Sequence, residues 1–254
     1  MKSPDRARLP KTLKNAGAIL FWVALWQIAA MSVNQELILP APVTVLKRLF
    51  SLAVTDDFWL CAGISLGRIL AGFLLGVILG TLTAAATASV PLLDAILSPA
   101  LRVVRATPVA SFIILALLWI GKVRIPGFIS MLMVLPVVWE NTAAGIRETD
   151  PELLEMAKSY RFGFGKTLRL IYVPSVTPAW RAGAVTAMGL AWKSGVAAEV
   201  LCQPSLSMGT RIYYAKIYLE TADLFAWTAV VILLSWLLEK GFVALVGRKG
   251  GETA

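Results

Sequence analysis

Residues 62–90 read AGISLGRILAGFLLGVILGTLTAAATASV. Arg68 is the one charge in an apolar run. As a helix rising about 1.5 Å per residue, the run is long enough to cross roughly 30 Å of hydrocarbon. Gly63, Gly67, Gly72, Gly76 and Gly80 recur along it, giving the small-xxx-small pattern that lets membrane helices approach backbone to backbone. The stretch predicts a membrane helix in a tight bundle and says little about what the bundle does.

Outward from this segment, apolar runs at about 16–33, 103–121, 125–146, 179–202 and 222–246 bring the expected spans to six. Arg102 and Arg105 crowd the start of the third and Pro108 interrupts it, which neighbouring helices can accommodate. The 254 residues are 58% hydrophobic and 15% charged, with a mean hydropathy of +0.75. Soluble domains average roughly half apolar and a quarter charged. The expected fold class is therefore an all-α polytopic membrane bundle. It has an N-terminal tail at 1–15, a membrane domain at 16–246 and a C-terminal tail at 247–254. Basic residues before Ala16–Val33 imitate a signal peptide, but that run is long, carries Trp22 and Trp26, and lacks a good cleavage site. A retained first span is expected. After Leu39-Pro40-Ala41-Pro42, the apolar residues of Val43–Phe58 predict a short helix lying at the membrane interface.

The net charge of +9 does not form one patch, which argues against a nucleic-acid partner. The basic residues cluster at the ends of apolar runs. With the N-terminus inside, sixteen of the 24 Lys and Arg fall on the cytoplasmic side. Six fall opposite: Lys47, Arg48, Lys122, Arg124, Arg211 and Lys216. That bias puts both termini and the polar loop 142–178 in the cytoplasm of a multi-pass plasma-membrane protein. Histidine is absent, and Cys61 and Cys202 belong to no ligand cluster. Neither a metal, a cofactor nor an enzymatic role is expected. No repeat is visible, which speaks against a self-contained secondary transporter.

The loop 142–178 has structure of its own. Asp150-Pro151-Glu152 predicts a helix start, with an acidic N-cap, Pro at the first helical position and negative charge at the positive dipole end. A break is expected at Gly163 and Gly165, then a second short basic helix, Lys166–Tyr172, stopped at Pro174. Such a pair of helices makes a rigid knob suited to a groove on a partner. Gly165-Lys166-Thr167 imitates the end of a phosphate-binding loop, but that loop needs Gly where Tyr160 stands. ATP is expected to be bound by a partner.

Glu155-Met156-Ala157, followed by Ile171-Tyr172-Val173-Pro174, resembles the "EAA" loop of permease subunits in ATP-binding-cassette (ABC) importers. The family pattern is E-A-A-x3-G-x9-I-x-L-P. Met156, Arg161 and Val173 depart from it, and Gly163 is expected to make the turn that the family's glycine makes at position 161. The resemblance runs from about 39 to 246. It includes Ser65-Leu66-Gly67-Arg68-Ile69, Arg105-Ala106-Thr107-Pro108, Trp192 and Ala198-Glu199, which look like landmarks of the nitrate/sulfonate/taurine-type importers. It implies a homodimer of permeases, two cytoplasmic ATP-binding-cassette ATPase subunits and an extracytoplasmic solute-binding protein. It also implies that Glu152, Glu155, Met156, Ala157, Arg161, Gly163, Ile171 and Pro174 form the ATPase-docking element. The implied solutes are nitrate, sulfonates or taurine, or a heterocyclic vitamin precursor such as a thiamine pyrimidine.

Ionisable residues inside a span are candidates for function. Lys193, beside Trp192, either faces the translocation pathway or pairs with an acid such as Glu140. Glu199 is expected to pack and hydrogen-bond near the outer gate, and Pro108 completes the pathway candidates.

Overall fold

The structure is a computed structural model and describes residues 11–247. The tails 1–10 and 248–254, with Lys2, Arg6, Arg8, Arg248 and Lys249 of the charge count, lie outside the described residues. The described chain is helical: α1 Lys11–Val33, α2 Pro42–Ala53, α3 Asp56–Ser89, α4 Pro91–Ala106, α5 Val109–Ala116, α6 Ile125–Arg147, α7 Pro151–Ser159, α8 Phe164–Thr167, α9 Val173–Cys202, α10 Met208–Ile217 and α11 Thr221–Gly247. A π-helical turn, Leu168–Tyr172, joins α8 to α9.

α6 is the axis of the bundle, packed between α3 and α9. The glycines of α3 decide how close it comes. A Cβ at Gly72 would overlap the Gly127 carbonyl oxygen, and one at Gly76 would lie 2.7 Å from Val134 Cβ. These contacts advance together along both helices, so α3 and α6 run parallel. α9 runs against them, with Gly183 on Asn141 and Gly195 on Ile69 and Ser130. Three tryptophans pin the layers, each donating its indole N–H across a helix contact. Trp139 donates to Thr87 Oγ1 at 3.0 Å, Trp180 to Thr81 Oγ1 at 2.9 Å, and Trp192 to the Val231 carbonyl of α11 at 3.0 Å.

Several expectations are corrected. The helix of the second span begins at Asp56, ahead of the apolar run at 62. The interfacial segment ends at Ala53, because Thr55 turns extended and starts α3 with Asp56 and Asp57 in its first turn. The third span is not one helix over 103–121. α4 and α5 meet at a bend of 103°, since Thr107 precedes Pro108 and is driven out of the helical region to ψ 135°. Because α3 and α6 are parallel, this bent pair carries the chain back across the bundle.

By length and apolar composition, three described helices can cross a membrane: Asp56–Ser89, Ile125–Arg147 and Thr221–Leu245. The bent pair would make four. α1 contributes a shorter apolar segment, Gly17–Val33. The 30 residues of α9 are long enough but rich in Ala, Gly and Ser. That composition suits a helix whose surroundings are α3, α6 and α11 rather than lipid.

Candidate coupling site

Asp150 caps α7 as its sequence demands: its Oδ1 accepts from the Glu152 N–H at 2.8 Å, and Pro151 takes the first helical position. At the other end, Arg161 N–H donates to the Lys158 carbonyl at 3.0 Å and Phe162 N–H to the Ala157 carbonyl at 2.8 Å. That pair of bonds is a Schellman closure, which needs a left-handed residue at position 161. Arg161 supplies it at φ 52°. Gly163 has φ −68° and only leads into α8. The turn is therefore made at the family's glycine position by an arginine, and the expectation that Gly163 takes over is corrected.

The second helix does not stop at Pro174. Pro174 sits in the first turn of α9, which continues to Cys202. Proline has no N–H for the carbonyl four residues back, and the chain meets that loss with the wider π turn just before it. Knob and span are thus one continuous rod.

Ala157 and Ile171 are buried, at 3% and 4% exposure, and form the covered inner side of the knob. Lys166 Nζ lies 4.1 Å over the Phe162 ring, tying α8 to the turn that precedes it. The other face is open. Glu152, Glu155 and Arg161 are exposed. Beside them Met156 is 42% exposed, Tyr160 71% and Phe164 84%. So large an apolar group on a polar loop marks a surface for contact. Of the residues expected to dock a partner, Ala157 and Ile171 are thus buried rather than on the open face, while Tyr160 and Phe164, which lie outside the family pattern, were missed.

The pathway candidates are not brought together. Trp192 is buried against α11. Pro108 is exposed at the α4–α5 bend. Lys193 is exposed and level with the first third of α6, roughly 10 Å from its start. Its expected partner Glu140 is instead paired with Arg105, across a polar cavity of ≈ 260 Å³ between α4 and α6.

Glu199 is fully buried and forms a polar lock. Its Oε2 accepts from Ser65 Oγ at 2.8 Å and from the Gly209 N–H at 3.1 Å, while Ser65 Oγ accepts from the Met208 N–H at 3.0 Å. Three helices, α3, α9 and α10, meet on one carboxylate. At the same end Arg48 and Asp223 join α2 to α11 with one contact at 2.8 Å, a hydrogen-bonded pair that raises the Arg48 pKa. Arg211 and Asp57 join α10 to α3.

Residues 72–247 match the family model described as binding-protein-dependent transport system inner membrane component. The chain belongs to that family. It is the permease of an ABC importer, of the nitrate/sulfonate/taurine type, and a transport protein rather than an enzyme. The permease is 31% identical over 223 residues to a provisionally named aliphatic sulfonates transport permease protein of Escherichia coli, covering 86% of this chain and 82% of that one. It is 26% identical over 230 residues to the taurine transport system permease protein of the same organism, covering 88% and 83%. In fold the permease resembles a crystallised amino acid ABC transporter with histidines. The TM-score is 0.57 at 17% identity, over 72% of this chain and 88% of that one.

Proposed function

We propose that two copies of the permease form the membrane channel of an importer for a small organic or inorganic anion of the sulfonate, taurine or nitrate class. An external binding protein delivers the solute at the end carrying α10, and two ATPase subunits dock on the opposite, cytoplasmic end at loop 147–178. The observation that carries this reading is the knob. Ala157 and Ile171 are buried on its inner side, α9 extends it without a break into the span, and Glu155, Met156, Tyr160 and Phe164 are exposed. Movement of an attached ATPase would be transmitted along α9 as along a rod. Closure of the ATPases on ATP would drive the two knobs together and open the far end to receive solute. The excess of Lys and Arg on the knob's side supports the orientation. The relatives named for taurine and sulfonates support an anionic solute. Lys193, exposed on α9 with no ion pair among the described residues, is proposed to face the pathway of the dimer and attract that anion.

ATP-driven uptake of labelled taurine into proteoliposomes holding permease, ATPase and binding protein tests the reading. Uptake dependent on ATP and lost in Glu155→Lys is the expected result. ATP-independent uptake by the permease alone would overturn it.

A further inference from the structure

Where α3 and α6 meet the 117–124 turn, the bundle carries an open cavity of ≈ 610 Å³ that takes no part in the coupling site. Ala71, Leu75, Phe128 and Met131 give it apolar walls, and the close Gly72–Gly127 contact forms its floor. Two guanidinium groups, Arg68 and Arg124, stand at one end. Neither makes an ion pair, those among the described residues being Arg48–Asp223, Arg105–Glu140 and Arg211–Asp57, although the buried Glu199 carboxylate lies within electrostatic reach of Arg68. Arg68 donates through Nη2 to the Ser205 carbonyl at 3.2 Å, while its Nη1 is buried with no acceptor. A buried cationic donor in that state is unfavourable until an acceptor reaches it. Arg124 stands at the N-terminus of α6, where the helix dipole adds positive potential.

We propose that this groove holds one anionic phospholipid. Its phosphate oxygens accept from Arg68 and Arg124, and the upper part of one acyl chain lies along α3 past Ala71 and Leu75. The planar guanidinium fork matches phosphate geometry, and basic pockets between membrane helices take lipid headgroups by the same chemistry. The height is right as well: Arg124 immediately precedes the first turn of α6, at the edge of a span, where headgroups lie. Below the arginines the groove passes into the exposed apolar stripe of Leu74, Ile78 and Leu82 on α3. A small hydrophilic anion would satisfy the arginines but leave these walls without a partner. A lipid satisfies both, at the end of the α3–α6 junction opposite the knob.

Native mass spectrometry of the full-length, detergent-purified permease, incubated with phosphatidylglycerol or with phosphatidylcholine of the same chains, tests this. The expected result is one phosphatidylglycerol per chain, retained at collision energies that strip phosphatidylcholine. Arg124→Gln removes one charge and Ala71→Phe fills the groove at an exposed position. Each should cut retention about fivefold or more, with unchanged elution and unfolding temperature. Equal retention of the two lipids by the unaltered protein, or undiminished phosphatidylglycerol on both variants, would overturn the proposal. So would displacement of the lipid by millimolar taurine, which would assign the arginines to a small anion instead.

Discussion

At φ 52°, Arg161 holds a left-handed backbone that costs an L-residue about 1–2 kcal/mol. The conformation persists because it lets two N–H groups close the end of α7. Arg161→Gly should stabilise the knob by about 1 kcal/mol, and Arg161→Val should destabilise it by a similar amount, since a branched Cβ tolerates positive φ least. Thermal unfolding of the purified permease measures both; the opposite order would contradict the turn geometry. The family's spacing pointed to a turn at 161, but nothing in the local sequence says that an arginine will adopt it, because the surrounding carbonyls impose the conformation. Glu199 is a similar case. A carboxylate in an apolar helix implies partners, yet Ser65 lies 134 residues away and Gly209 beyond the helix end. Glu199→Ala should cost about 1–3 kcal/mol by leaving Ser65 Oγ–H and the Gly209 N–H unpaired. The unfolding midpoint reads it, and an unchanged midpoint would remove the lock from the account.

Helix α3 was legible almost whole, because an apolar run of spanning length with a single charge and glycines at four- and five-residue intervals has few other structures open to it. Its packing makes a direct prediction. Gly76→Leu should force α3 and α6 apart and cost about 1–3 kcal/mol or more, with loss of folded protein in a detergent stability assay. Gly63→Leu, at a position with nothing nearby, should be tolerated. The α4–α5 pair was not legible. Pro108 announces that Thr107 must leave the helix, but the 103° direction of the new helix depends on where α6 and α9 lie. α7 was read correctly to its cap, since Asp150, Pro151 and Glu152 act on their own neighbours. The union of the second knob helix with α9 was missed because a proline in the first turn of a helix and a proline that ends one look alike in sequence.

Across the whole molecule, the knob and the end of α11 lie on one side of the bundle, and the Ser65–Glu199–Gly209 lock with the Arg48–Asp223 and Arg211–Asp57 pairs lies on the other. An importer of the proposed kind needs these ends to move in register, and α9 joins them, carrying Lys193 between. Lys193→Ala should lower taurine uptake about tenfold or more at normal expression; unchanged uptake would remove the residue from the pathway. The central claim is that loop 147–178 holds the ATPase. Affinity purification of the tagged permease together with its ATPase subunit, in the same mild detergent, tests this most directly. The unaltered permease should retain the ATPase in a one-to-one ratio. Glu155→Lys and Phe164→Ala should each lower retention about tenfold while the permease elutes and unfolds as before. Full retention by both variants would show that the ATPase docks elsewhere and would contradict the account.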